Sequence, residues 1–528
     1  MRKIISSIFT LMSVVSLSYG QGVTDATHFG DNGIMGTARY MGMAGSFGAL
    51  GGDPSAIIDN PAGLGIYRGS ELSFTLNPTI INTTTGKNGQ YGKANDFFFN
   101  FNQAALVLAF PSGREKGYVS SNFSFTYNRL KDFHRSVEYT NNTPSGSLSG
   151  YLAGFTNGFN PSSLVEENVY APFLSVLGYQ TSCINPGSGA DSTFYSPTGN
   201  MNSMSAYKGV EYGRVEEYNF SYAANIAHVV YFGMALGIQT LDYRMVSDNG
   251  ETFSATADGT IPNMVLSNSY SAYGVGVNFK AGLIVRAAPF LRLGASIHTP
   301  TSYSMRESWT GQINTSGMAA EGNPNQYTLS SNSYFDYNSP LRFQASAAFI
   351  IGKSALINID YQLADYQHMK LRDESSDGLF SGDAFGYENN EINRYAKLSH
   401  LIKVGAEYRI ASTYSLRAGF AYQTPNIAES APYNLMGNST RTRTDYFIDK
   451  GSIYGAVGFG YRYNGFGIDI AYMLRCKTDG FATYQRDAQI FTNDSYYGVA
   501  ENMPQQVRTM TDVKSLYHNI AVTLLYKF

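Results

Sequence analysis

Charge is scarce in this chain. Only 15 % of its 528 residues are Asp, Glu, Lys or Arg, against roughly 25 % in an ordinary soluble domain. The formal net charge of −3 gives no electrostatic case for nucleic acid as a partner. Tryptophan occurs once and cysteine twice. Cys183 and Cys476 form neither a CxxC motif nor a metal pair; an exported chain allows one disulfide between them, which spacing does not decide. The seven histidines are scattered without ligand spacing. No GxSxG, HExxH or phosphate loop occurs, so neither an enzyme nor a cofactor is expected. Asp373 to Gly378 resembles half a calcium loop, but its twelfth position is Ala384 instead of a bidentate Glu, so no metal is expected there. After Gln21 no run of about 18 apolar residues appears, which excludes a membrane-spanning helix.

What is abundant is Tyr (41), Phe (33) and Gly (54). This mixture suits twisted strands with aromatic girdles. Residues 1–20 read as a signal peptide: Arg2 and Lys3 start it, Ile4 to Leu17 form an apolar core, and Ser18-Tyr19-Gly20 precede cleavage before Gln21. Residues 21–70 are rich in Gly and Ala and lack strand alternation. From Glu71 onward the pattern has period two. Phe123, Phe125 and Tyr127 alternate with Asn122, Ser124 and Thr126, and Phe466, Ile468, Ile470, Tyr472 and Leu474 alternate with Asp469 and Arg475. Each run has one greasy face and one polar or small face. In a membrane barrel the greasy face meets lipid.

Fourteen such runs occur, the first near 72–81 and the last near 514–528. Their connections alternate long and short. The long ones are 82–96, 130–213, 247–268, 307–338, 373–396, 426–448 and 480–513; short ones include Gly352-Lys353 and Asn464-Gly465. An outer-membrane barrel with long outer loops and tight periplasmic turns has this parity. The expectation is an all-β, 14-stranded antiparallel transmembrane β-barrel over 71–528, with 130–213 its largest outer loop and 21–70 a plug in its lumen. Phe528, Tyr526, Leu524, Val522 and Ile520 share one face of the last run. A terminal Phe on such a strand resembles the signature read by the barrel assembly machinery, which enters as a partner in biogenesis, with outer-membrane lipid as the standing one.

The most specific stretch is 39–65. Its small residues suit a narrow lumen. Asp53-Pro54-Ser55 is expected to start a short helix, with Asp53 as its cap, and Asn60-Pro61 to stop it. Arg39, Met41-Gly42, Ala44, Ala49, Asp53, Ser55-Ala56 and Asn60-Pro61-Ala62-Gly63 resemble the N-terminal plug of the FadL/TodX family of outer-membrane transporters for long-chain fatty acids and hydrocarbons. That resemblance implies a fourteen-stranded barrel in a Gram-negative outer membrane. It also implies passive transport of a small hydrophobic ligand, with Phe47, Asp53, Asn60, Pro61, Ala62 and Gly63 on the plug and ligand path. Some members open sideways at a kinked third strand. Here the third run, Lys116 to Arg129, has only Gly117 at its edge and no Pro, which speaks against a lateral exit.

Two further groups are candidates. Leu148, Leu152, Phe155 and Phe159 have near-helical spacing in the largest loop and form either a greasy capture site or the loop's own core. Lys403, Arg417, Arg462 and Arg475 fall on lumen faces and suit a ligand carboxylate. Asp360, Glu407 and Asp469 share those faces, so an ion-pair network propping barrel and plug is the alternative for each. The competing function is a FadL-like barrel serving as an accessory or anchor for surface or secreted proteins. A continuous apolar path from the largest loop to the plug discriminates between the two.

Overall fold

The computed structural model describes residues 22–142, 147–166, 168, 171–187, 192–198, 203–318, 323–352, 354–373, 385–411, 413–431, 440–484 and 510–528. The signal segment 1–20 and the calcium-like fragment beyond Asp373 lie outside them.

The alternating runs form strands that pair antiparallel with their neighbours. The order is β1 (Glu71–Thr85), β2 (Gly92–Pro111), β3 (Tyr118–Asp132, continued by Arg135–Asn141), β4 (Met204–Ile226), β5 (Val230–Thr252), β6 (Asn263–Ala288) and β7 (Leu291–His298, continued by Ser302–Ser316). Then follow β8 (Gln326–Asn338, continued by Leu341–Ile351), β9 (Ala355–Asp365, continued by Lys370–Asp373), β10 (Leu398–Ile410), β11 (Tyr414–Gln423), β12 (Tyr446–Tyr463), β13 (Phe466–Ala482) and β14 (Thr511–Lys527). β1 pairs with both β2 and β14, with Glu71 opposite Lys527 at one end of the seam. The sheet is therefore a closed fourteen-stranded barrel. Among the described residues no helix is long and apolar enough to cross a membrane.

The exterior carries the greasy face. Phe97, Phe466 and Leu524 are 65 %, 65 % and 55 % exposed, whereas Asn122, Thr126 and Asp469 are buried. Outward aromatics pair across strands: Phe123 with Tyr222, Phe125 with Phe220 and Tyr127 with Tyr218, ring centroids 5.1, 5.1 and 5.4 Å apart. Water cannot be the solvent of such a belt; it is the lipid-facing surface of an outer-membrane barrel. At the closing strand Ile520, Leu524 and Tyr526 are exposed while Ala521 and Thr523 are buried.

Outer ends run further than the sequence suggests. The connection expected at 130–213 shrinks to 142–203, and that at 307–338 to 317–325, because β3, β4, β7 and β8 continue past the apolar belt. There the outward residues turn polar (Ser267, Ser271, Thr310 and Ser330), so the greasy alternation that signals a membrane strand fades while the ladder persists, with Thr310 opposite both Ser269 and Ser330. Kinks fall where the ladder loses a donor: Pro300 divides β7 and Pro340 divides β8.

Residues 22–67 pack against the inward faces. They form α1 (Val23–Gly30), α2 (Ala38–Gly42), α3 (Ala56–Asp59) and a 3₁₀ turn, Pro61–Ile66. Between β3 and β4 lie α4 (Leu148–Thr156) and α5 (Phe173–Gln180). Cys183 and Cys476 are both free: the first is buried beneath α5, the second is on the outward face of β13, so the two never meet.

Candidate functional site

The site is the surface shared by residues 22–67 and the barrel wall. Thr37 caps α2, its hydroxyl accepting from the Tyr40 N–H at 3.1 Å. Asp53 does not cap a helix as expected. α3 starts only at Ala56, behind Ser55. Asp53 instead closes a turn by accepting from the Ser55 N–H at 2.9 Å and from the Thr37 hydroxyl at 2.8 Å. A short polar side chain bonding two residues ahead competes with helix at that point. Burial pushes the Asp53 carboxyl above its ordinary value, against the pull of Arg39. Asn60 does end α3: its backbone is extended and its Oδ1 accepts from the Ala62 N–H at 3.0 Å, opening the 3₁₀ turn. Its Nδ2 donates to the Gly48 carbonyl at 2.7 Å, tying the two halves of the segment.

Charged contacts join segment and wall. Arg39 donates to Glu407 at 2.9 Å and to the Gly52 carbonyl at 2.8 Å, and lies 5.1 Å over the Phe47 ring. Glu407 also accepts from Arg417 at 2.7 Å, Arg417 reaches Asp469 at 2.7 Å, and Asp469 accepts from Arg462 at 2.6 Å. Lys403 donates to Asp59 at 2.7 Å and lies 3.7 Å from Asp360, which accepts from the Phe47 N–H at 2.9 Å. Arg475 reaches Asp31 at 3.5 Å and Ser452 at 3.2 Å. The four cations proposed for a ligand carboxylate thus all have carboxylate partners within the chain, as the ion-pair alternative requires.

Close backbone approach supplies the rest of the fit. On the inward faces Gly233 sits opposite Gly282 across β5 and β6, and Gly405 opposite Gly419 across β10 and β11. A Cβ on Gly282 would lie 1.9 Å from Asn60 Oδ1, and one on Gly233 2.3 Å from the Pro61 carbonyl carbon. On Gly419 it would lie 2.2 Å from the Met43 carbonyl carbon. Pro61, Ala62 and Met43 therefore touch the wall only because it is bare there. Sequence reading missed these pairs; their signal was glycine on the small face of four alternating runs. Gly63 has the matching role inside the segment, packed on Gly51.

Above this layer the interior is apolar. Leu148, Leu152 and Phe155 are buried and Phe159 half-buried against them. They belong to one cluster with Leu174 and Leu177 of α5, Tyr243, Tyr270 and Trp309 of the wall, and Val23, Ala26 and Phe29 of α1. The loop candidates are thus the loop's own core and also part of a continuous apolar body reaching the N-terminal helix. Wall side chains hold α1 by its carbonyls: Tyr337 on Ala26 (2.8 Å), Asn426 on Thr27 (3.2 Å) and Arg342 on Gly30 (2.5 Å), with Arg441 on Asp25 at 2.7 Å. Two polar cavities flank the segment, about 40 and 60 Å³, well below the roughly 300 Å³ at which ligand pockets begin.

The third strand kinks at and just beyond the end of the run expected for it, Lys116 to Arg129. β2 and β3 share a ladder only from Gln103 opposite Asn128 to Pro111 opposite Ser120. Beyond it β3 bulges at Arg129–Lys131 and breaks at Phe133-His134. Side chains bridge that seam: Arg129 to Asn100 at 2.6 Å and Ser136 to Asp96 at 2.7 Å. The bulge turns the Leu130 carbonyl to the Gly33 N–H at 2.9 Å. A strand without Pro or interior Gly is thus kinked all the same, because tertiary partners replace its ladder.

The fold and its inner segment define a membrane-spanning β-barrel with its N-terminal part held against the lumen wall. The same fold is that of a Pseudomonas aeruginosa FadL homologue, which matches 94 % of this chain and 100 % of its own at 12 % identity and a TM-score of 0.50. The Pseudomonas putida toluene transporter TodX covers 95 % and 99 % at 12 % identity and TM-score 0.49; the Ralstonia pickettii toluene transporter TbuX covers 94 % and 99 % at 14 % and 0.43. No protein-family model and no curated protein matches the chain.

Proposed function

We propose that this protein is a passive conduit for small hydrophobic compounds, of long-chain fatty acid or hydrocarbon type, in the outer membrane of a Gram-negative bacterium, with residues 21–70 as its plug. The observation that carries this reading is the single body of buried apolar side chains running from α4 and α5 through the Tyr270–Trp309 wall to Phe29 of α1. This body has charged neighbours of its own: Glu307 accepts from Tyr270, Glu211 accepts from Tyr243, and Arg441 lies 5.2 Å over the Trp309 ring. The resemblance of 39–65 to the family's plug and the shared barrel fold support it. In this conformation the path is filled by side chains and the flanking cavities are too small for such a ligand, so this is the closed state. Passage then requires α1 and the 31–36 stretch to shift, and the β2–β3 seam, bridged by side chains at Arg129–Asn100 and Asp96–Ser136, offers a sideways exit.

The test is uptake. Deleting 39–65, or the substitution Asn60→Ala, is expected to change uptake of a labelled long-chain fatty acid or toluene while the barrel still folds. Mass spectrometry of mild-detergent preparations is expected to find a co-purifying apolar compound. Unaltered uptake in a deletion strain together with no bound apolar compound overturns the reading in favour of an accessory barrel.

A further inference from the structure

Arg286 and Arg292 stand together at the periplasmic mouth with Arg68 at the same end, and among the described residues none of them has an acidic partner. Arg286 ends β6 and Arg292 begins β7, and they stand directly opposite each other in the ladder. Both share the parity of inward residues, Ile284 on β6 and Ser296 on β7, so both point to the lumen side of the rim. Arg68 follows the 3₁₀ turn and is exposed at the same end of the barrel. Like charges placed directly opposite on neighbouring strands oppose folding. Deeper in the lumen Arg39, Arg462, Lys403 and Arg475 are answered by the carboxylates of Glu407, Asp469, Asp59 and Asp31, while Arg342 is held by the Gly30 carbonyl. Among the described residues none of these three arginines has an ion pair. The Arg292 Nε is buried with no acceptor, while its Nη1 donates to the Leu50 carbonyl at 3.0 Å.

We infer that Arg68, Arg286 and Arg292 form an oxyanion site at the periplasmic mouth, built for a carboxylate or phosphate group. Guanidinium groups hold both groups through paired N–H donors. The missing counter-charge is then supplied by the ligand, and the like-charge opposition is relieved on binding. Through Leu50 the site touches the turn that carries Phe47, Gly51 and Gly52, so an occupied site bears on the 22–67 segment. The anion comes either from an amphiphile at the mouth or from a phospholipid headgroup of the periplasmic leaflet. The inference goes beyond the transport reading and does not need it.

The experiment uses the full chain in nanodiscs and measures binding of labelled dodecanoate, with dodecanol as the uncharged control. The variant is Arg286→Gln/Arg292→Gln, with Arg68→Gln alone as a second. In phosphatidylcholine discs the double variant is expected to bind dodecanoate at least about tenfold more weakly, with dodecanol binding unchanged and a thermal midpoint no lower than the parent's. Competition by inorganic phosphate identifies a site open to free oxyanions. Loss of the arginine-dependent binding in phosphatidylglycerol discs identifies the lipid headgroup as the occupant. Equal dodecanoate binding by parent and double variant, or a large fall in the variant's thermal midpoint, overturns the site: the first leaves the arginines idle, the second makes them structural.

Discussion

At the scale of single residues, the interior is decided by partners more than by residue type. Glu407 holds three arginines, Arg39 from the segment and Arg417 and Arg409 from the wall. Removing one partner of a buried pair leaves an uncompensated charge and costs about 3–5 kcal/mol. Glu407→Ala is therefore expected to release residues 22–67 to protease and hydrogen exchange while the barrel keeps its heat-modifiable migration on gels. Gly282→Val is expected to act in the same way from the other side, since its Cβ alone would collide with Asn60 Oδ1; a variant whose segment stays protected would refute that contact. Burial pushes the Cys183 thiol up to about 12. At pH 8.5 it is then almost wholly protonated, and maleimide labelling is expected to run at under about a hundredth of the rate of an exposed cysteine. Its neutral form is favoured in the fold, so this contribution is kept below about pH 9 and lost as pH rises toward 12.

At the scale of elements, α1 is the least anchored by its own sequence and the most by its surroundings. Eight residues do not hold a helix in water; wall donors on its carbonyls and Arg441 on Asp25 do. His28 of α1 is buried, and burial together with the charges of Lys131, Lys477, Arg135 and Arg443 holds its imidazole well below its ordinary value. Unfolded or undocked, it takes a proton near pH 6.5; docked, it does not. Docking of α1 is therefore expected to be at full strength above about pH 7 and to weaken as pH falls below about 6.5. Hydrogen exchange of residues 23–30 as a function of pH measures this, and His28→Gln is expected to flatten the dependence. β3 is a second case. Its run Lys116 to Arg129 has no Pro or interior Gly, and just beyond that run Leu130, Lys131 and Phe133 turn inward to Gly33, the His28 carbonyl and Tyr243.

At the scale of the whole molecule, the greasy exterior and the filled lumen divide the work of stability between lipid and segment. Deleting 22–67 is expected to leave a folded barrel, because every strand keeps both neighbours, and to open an ion-conducting lumen measurable as single-channel current in planar bilayers. A barrel that fails to assemble would instead make the segment part of the fold. The period-two faces, the number of strands, the parity of their connections and the unusual character of 21–70 were all legible in the sequence, because each depends on which residues alternate locally and on what solvent the outer face must match. The tertiary structure alone decided that Lys403, Arg417, Arg462 and Arg475 are neutralised from within, that bare glycine pairs admit Asn60 and Met43, that β3 breaks, and that Arg286 and Arg292 face each other at the mouth with no ion pair among the described residues. Those outcomes depend on register and tilt around a closed cylinder, which bring residues hundreds of positions apart to within hydrogen-bond reach, and no local pattern encodes that meeting.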